Sequence, residues 1–227
     1  MEPVSNKVAD CLCFSINEKD INYEFVYQAM QSFVHRTFTS SNKFILICDT
    51  LRQESYKIID RYSSETARAK CINLGNKLVE ILDKIMEKEG LEMKIFRWDD
   101  LIMSDGYISF MEDLETKIKL IANSDRLEPL YEMSKKHLLI RNPLSSKLKE
   151  RNIQVGVDFF IKESYIFFKF FNLGEFVCQK IFYPTSNEDS IETFSFVYKI
   201  IEGVLNSGFD NILVEGIIIK RNKVTKI

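Results

Sequence analysis

The sequence predicts an α/β protein: a mainly parallel sheet of about five strands with helices on both faces. Three observations point to it. Short apolar runs alternate with longer segments of helical period, which is the pattern of strands joined by crossover helices. Runs such as "FILIC" (44–48) are apolar at every residue, as strands covered on both sides are. The chain also has the means to bury two such faces, being 45% hydrophobic over 227 residues while 28% of it is charged.

The elements follow in order. "ADCLCFSI" (9–16) reads as a strand and "YEFVYQAMQSFVHRTF" (23–38) as an amphipathic helix. "KFILICDT" (43–50) is a second, buried strand. A long helix covers 63–88, with "SSET" resembling an N-terminal cap and Gly90 a stop signal. "EMKIFRW" (92–98) is a third strand, and helices cover 105–122 and 125–140. "RNPLSSK" (141–147) breaks the pattern. An aromatic-rich helix then runs from 147 to 172 and ends at "NLGE". "FVCQKIFY" (176–183) is a fourth strand, 190–208 a helix, and "NILVEGIIIK" (211–220) a final strand. With no repeat, low-complexity tract or long linker, the expectation is one domain over residues 1–227.

Composition narrows the function. A net charge of −2 neither demands nor excludes a nucleic-acid partner, because a local basic face can coexist with an acidic remainder. The five cysteines, Cys11, Cys13, Cys48, Cys71 and Cys178, are odd in number and form no C-x-x-C. With only His35 and His137 beside them, no metal site is expected, and buried thiols in a reducing, cytoplasmic setting are. No secretory leader is visible, and no run reaches the roughly 20 apolar residues of a membrane span, so no membrane partner is expected. There is no G-x-G-x-x-G and no Walker A lysine loop, so no nucleotide cofactor is expected either. In an open parallel sheet, ligands sit beyond the carboxyl ends of the strands. That rule directs attention to Ser15, Asp49, Tyr183 and their neighbours.

Ser15 ends the first apolar run. It reads either as a serine closing a strand or as a nucleophile at the sheet edge. A hydrolytic triad would need a histidine base, but both histidines fall in helical segments and there is no G-x-S-x-G elbow. As a nucleophile it would therefore require a substrate that is already activated. "DFFIKESYIFFKFF" (158–171) poses a sharper question, for it places Glu163 in an apolar helix. Helical spacing puts Phe159, Glu163, Ile166 and Phe170 on one face. A buried, unpartnered carboxylate is costly. Glu163 thus either turns to solvent or to a lysine, or receives the cationic group of a ligand, an α-ammonium being well suited. Tyr183, in "KIFYPT", is either a surface phenol at a strand end or part of the same crevice. Lys70, Lys77, Lys84 and Lys88, with Arg68, recur along the long helix as a solvated face or as a stripe that follows a phosphate backbone.

Taken in order and spacing, these pieces resemble the cyclodipeptide synthases, which join two aminoacyl groups from tRNA and share a Rossmann-like fold with class I aminoacyl-tRNA synthetases. The resemblance spans about 9–205. "CFSIN" resembles the strand that carries the family's catalytic serine, and "FILICDT" the second strand with its Asp-Thr ending, here Asp49 and Thr50. "FFIKESYIFF" resembles the helix in which a glutamate follows an aromatic by four residues. Tyr183, twenty residues beyond Glu163, stands where the family has a tyrosine. Pro184 after it, and Glu18 three residues after Ser15, resemble the XYP branch rather than the branch with asparagine and histidine there.

The resemblance implies that Ser15 forms an aminoacyl-enzyme, that Glu163 holds the ammonium and helps move protons, and that Tyr183 orients or relays protons. It implies aminoacyl-tRNA as partner, not DNA, and no cofactor. Phe159 replaces a tyrosine usual in the family. A lost hydrogen bond to a charged group costs roughly 1.5–3 kcal/mol, or ten- to hundredfold in rate; Tyr165 is the neighbouring hydroxyl that could stand in, although it lies off that face. By position, Cys11, Cys13, Leu46, Cys48, Ile166 and Ile181 would line a pocket for an apolar first side chain, or else are simply core. Arg68, Lys70, Lys77 and Lys84 would meet tRNA. Two rival readings are a non-catalytic aminoacyl-tRNA-binding homologue and an unrelated α/β hydrolase or nucleotide-binding protein.

Overall fold

The computed structural model describes residues 7–37, 42–120, 127–141, 150–168, 171–186, 196–197, 199–204 and 213–219. Five parallel strands make the sheet: β1 (Lys7–Ser15), β2 (Asn42–Cys48), β3 (Lys94–Arg97), β5 (Phe176–Thr185) and β6 (Leu213–Ile218). A two-residue strand, β4 (Asn172–Leu173), is added antiparallel to the start of β5. The order is β3-β2-β1-β5, with β4 and β6 sharing the outer edge of β5.

The chain leaves β1 towards β2 and β3, then returns to place β5 on the other side of β1. The strand order therefore reverses between β1 and β5, and it is beyond the carboxyl ends at such a reversal that open α/β sheets bind their ligands. Ser15 lies at the end of β1, and Tyr183 lies near the end of β5.

Alternation along the strands divides the interior into two cores. Leu12, Phe14, Ile45, Ile47 and Phe182 face α1 (Tyr23–Arg36) and α3 (Ser64–Glu89). Ala9, Cys11, Cys13, Phe44, Leu46, Cys48, Ile181 and Tyr183 face the other side, covered by α4 (Trp98–Ile102), α5 (Asp105–Leu120), α6 (Glu128–Arg141) and α7 (Glu150–Phe168). On that side Phe44 anchors an aromatic cluster, with ring centroids 5.7 Å from Phe96, 5.5 Å from Phe176 and 6.3 Å from Phe171. All five cysteines are buried free thiols.

The caps of α3 follow the sequence. The Ser63 hydroxyl accepts from the Thr66 N–H at 3.1 Å, and Gly90 ends the helix at φ 63°, a left-handed position that glycine enters without strain.

Other boundaries differ from expectation. Asp49 and Thr50 leave the strand: the chain turns at Asp49 into a 3-10 turn, Thr50–Arg52, and a short helix α2 (Gln53–Ile59). α4 begins directly after β3 with no spacer, so Trp98 belongs to a helix and not to the strand. The aromatic helix, expected to reach 172, is helical to Phe168, and Asn172 already belongs to β4. Gly174, at φ 61°, turns the chain from β4 into β5. The break at 142–147 and residues 190–195 of the expected 190–208 helix lie outside the described residues, whereas 196–197 and 199–204 are helical.

Candidate active site

The Ser15 side chain continues the row of Ala9, Cys11 and Cys13, so it projects towards the α7 side of the sheet. Its position is partly buried. Two groups meet its hydroxyl. The Nε–H of Arg52 donates to Ser15 Oγ at 3.0 Å, and Tyr183 shares a side-chain hydrogen bond with it.

Tyr183 is 6% exposed, so its phenol is not at the surface. Burial pushes its pKa well above the ordinary value of 10, and the charge of Glu163 adds to this, while Arg52 and the Ser15 hydrogen bond oppose it. In this buried setting Tyr183 is therefore a neutral phenol able to donate and accept, and it is not a phenolate base.

Glu163 is 2% exposed, which removes the solvent-facing reading, while the adjacent Lys162 is exposed. Its charge acts on both Tyr183 and Cys48. Cys48 is the strand partner of Ser15. The carboxylate of Glu163, carried by α7, thus lies near the end of β2 at Cys48 and the end of β5 at Tyr183.

Phe159, one helical turn earlier, is only partly buried, and its ring lies 6.0 Å from the Arg52 Cζ. Tyr165 does not stand in for the missing hydroxyl. It points into the α5 side, with its ring 5.2 Å from those of Tyr107 and Phe110 and its hydroxyl bonded to Ser104.

The residues nominated for a side-chain pocket, Cys11, Cys13, Leu46, Cys48, Ile166 and Ile181, are all 0–1% exposed within one core cluster. Cys13 and Cys48 place their sulfurs 3.5 Å apart next to Ser15, whereas Cys11 lies two residues deeper and bonds Cys178. Burial, the larger cause, together with these sulfur contacts raises the thiols of Cys11 and Cys48 well above the usual range, so both are inert buried thiols.

The nominated basic stripe divides. At about 100° per residue, Lys70, Lys77 and Lys84 share a face of α3 and Arg68 does not. Arg68 pairs with Asp99 at 2.6 Å, on the α4 side. Lys70 pairs with Glu18 at 2.9 Å and lies over the rings of Tyr56 and Tyr62, while Lys77 and Lys84 are exposed. Lys70 and Lys77, with Tyr62 and Asn73, line a shallow groove along this face. Among the described residues no group of three or more metal-ligating side chains occurs, and no helix is long and apolar enough to cross a membrane.

Arg52 is the residue that sequence reasoning missed. Its signal was position: it follows Asp49 by three residues, at the carboxyl end of β2, on the rim where ligands are expected. The 3-10 turn that carries it packs against α7, and this brings the guanidinium between Ser15 and Phe159.

No family model matches the sequence, and no curated protein matches it. Solved structures do. A CDPS from Staphylococcus haemolyticus superposes with a TM-score of 0.64 at 14% identity, covering 96% of this chain and 93% of that one. A cyclodipeptide synthase from Streptomyces noursei gives 0.64 at 13% identity, covering 93% and 95%. A cyclodipeptide synthase from Candidatus Glomeribacter gigasporarum, bound to Phe-tRNAPhe, gives 0.58 at 14% identity, covering 98% and 92%. The fold of this chain is that of the cyclodipeptide synthases, Rossmann-like and nearly end to end.

Proposed function

We propose that the chain, as one domain, is a tRNA-dependent cyclodipeptide synthase that forms a diketopiperazine from two aminoacyl-tRNAs through an aminoacyl-serine enzyme. One observation carries the reading: Ser15, Tyr183 and Glu163, from three separate elements, meet at the point where the strand order reverses in a sheet of cyclodipeptide synthase fold.

The chemistry suits these groups. An aminoacyl ester is already activated, so Ser15 needs no triad to accept the acyl group. A buried carboxylate invites an ammonium ion, and Glu163 holds the α-amino group of the first residue. It then accepts a proton as that amine attacks the second aminoacyl ester. Tyr183, a neutral phenol bonded to Ser15, passes protons between the serine and the departing ribose oxygen. Attack of the second amine on the serine ester closes the ring and frees Ser15. Pro184 after Tyr183, together with Glu18 three residues after Ser15, supports the XYP branch. The apolar lining at Cys13 and Cys48 favours an aliphatic or aromatic first residue.

Phe159 favours a second reading, an aminoacyl-tRNA-binding homologue with little turnover, because a ring without a hydroxyl faces the site. Expression in a bacterial host, with mass spectrometry of the medium for cyclic dipeptides, separates the two. New diketopiperazines that vanish in Ser15→Ala and fall in Glu163→Ala support the synthase. A well-folded protein that yields none supports the binding homologue.

A further inference from the structure

Arg52 has no part in the mechanism above, yet it is the cation that the fold sets against the proposed nucleophile. Its Nε–H already donates to Ser15 Oγ at 3.0 Å, and the face of Phe159 lies 6.0 Å from its Cζ. Among the described residues no carboxylate forms an ion pair with it. Its backbone is fixed as well, since the Arg52 N–H donates to the Asp49 carbonyl at 3.2 Å.

A guanidinium presents the Nε–H and a neighbouring Nη–H as a parallel fork, matched to two oxygens on one carbon. The tetrahedral adduct of a serine with an ester has that arrangement: Oγ and the former carbonyl oxygen share a carbon. One prong of the Arg52 fork rests on Oγ before any substrate arrives.

Resting on the aminoacyl-transfer reading, we infer that Arg52 is a catalytic residue whose guanidinium spans Ser15 Oγ and the oxyanion of the adduct. In the step, the Oγ–acyl carbon bond forms and the carbonyl π pair moves onto oxygen, where Arg52 meets the new charge. Collapse re-forms the carbonyl and breaks the carbon–oxygen bond to the ribose. The hydroxyl proton of Ser15 ends on that ribose oxygen, so no further reactant is needed. The site then divides its charges by role, with Glu163 for the ammonium of the substrate and Arg52 for the oxyanion. Phe159 acquires a positive role as well: its face holds the plane of the fork.

The test is single-turnover transfer from a panel of twenty radiolabelled aminoacyl-tRNAs to the full chain, read as label on protein after ribonuclease treatment. Arg52→Ala and Arg52→Lys are compared with the wild type, together with tRNA affinity and melting temperature. The expected result is that Arg52→Ala transfers roughly 10²–10³-fold more slowly, the loss typical of one removed oxyanion donor, with tRNA affinity unchanged and millimolar methylguanidinium restoring part of the rate. Arg52→Lys keeps the charge but not the fork, and is expected to be at least tenfold slow.

Wild-type speed in either variant overturns the inference while leaving the synthase reading intact. So does a slow Arg52→Ala whose tRNA affinity falls in proportion, since Arg52 is then an RNA contact. A wild-type protein that takes label from none of the twenty overturns the acyl-transfer reading, and the inference with it.

Discussion

Asp49, 1% exposed at the end of β2, is gripped by Arg97 at the end of β3, whose Nε–H donates to its Oδ2 at 2.7 Å. The Trp98 N–H donates to the other carboxylate oxygen at 3.4 Å. The pair ties the carboxyl ends of two neighbouring strands together and fixes where the chain turns into the segment that carries Arg52. Next to it, the Thr50 hydroxyl donates to Asp99 at 2.5 Å, so the Asp-Thr pair has a structural use in this chain.

Removing Arg97 leaves a buried carboxylate without its cation. Arg97→Met is expected to lower stability by about 3 kcal/mol, at the low end for a buried pair because the Arg97 side chain is 26% exposed. Gly75 on α3 leaves the space the pair occupies: a Cβ there would collide with the Arg97 guanidinium and lie 2.7 Å from Asp49 Oδ2. Gly75→Ala, which in an open helix would stabilise by roughly 1 kcal/mol, is expected to destabilise by about 1–3 kcal/mol. Urea unfolding of both variants checks the pair.

Tyr183 supplies a pH test with a definite sign. Its folded pKa lies above the ordinary value of 10, chiefly through burial. The stability that comes from keeping the phenol protonated is therefore complete below pH 10 and is lost as pH rises beyond it. Tyr183→Phe cannot lose this contribution. Its melting temperature, measured against wild type from pH 8 to 11, is expected to gain on the wild type only above about pH 10. A constant offset would mean that the phenol is not buried as described.

Phe159 is expected to act through its ring and not through a missing hydroxyl. Its cation–π contact with Arg52 is worth about 0.5–1 kcal/mol at a partly exposed site. Phe159→Leu should then slow acyl transfer about two- to fivefold, and Phe159→Tyr, which keeps the ring, should do no harm. A Phe159→Leu variant as fast as wild type would separate Phe159 from Arg52.

Lys77 and Lys84 are the residues of the nominated basic set best placed to meet an RNA backbone, because Arg68 and Lys70 already face Asp99 and Glu18. Each phosphate contact removed should lower the slope of log affinity against log salt by about 1. Filter binding of Lys77→Ala and Lys84→Ala across a salt series should show this for both and for neither Arg68→Ala nor Lys70→Ala.

Much of the fold could be read from the sequence because its strong signals are periodic. Apolar runs at 11–14 and 44–48 are strands covered on both faces, and Ser63 and Gly90 bound α3. What escaped is short: the 3-10 turn and α2 follow β2 after the single residue Asp49, and α4 follows β3 with no residue between. Elements of two to seven residues have too few turns to show a period. The site divides along the same line. Ser15, Glu163 and Tyr183 stand at positions the sequence marks, a strand end or a charge in an apolar helix. Arg52 looks like any surface arginine until the missed turn carries it to Ser15, and Arg68 looked like part of a stripe until the helical angle turned it towards Asp99. Residues 167 and 170, whose aromatic side chains drew attention to the helix, fall where no side chain is described.

The most direct test of the account is the mass of the protein itself. Purified chain is mixed with the aminoacyl-tRNA panel, quenched in acid within seconds, digested and mapped by mass spectrometry. The account predicts one aminoacyl adduct, on the peptide containing Ser15, absent from Ser15→Ala and accumulating in Glu163→Gln, where the amine of the serine-bound residue is not deprotonated and cannot attack the second ester. An adduct on another residue, or diketopiperazine formed with Ser15 never acylated, would contradict it.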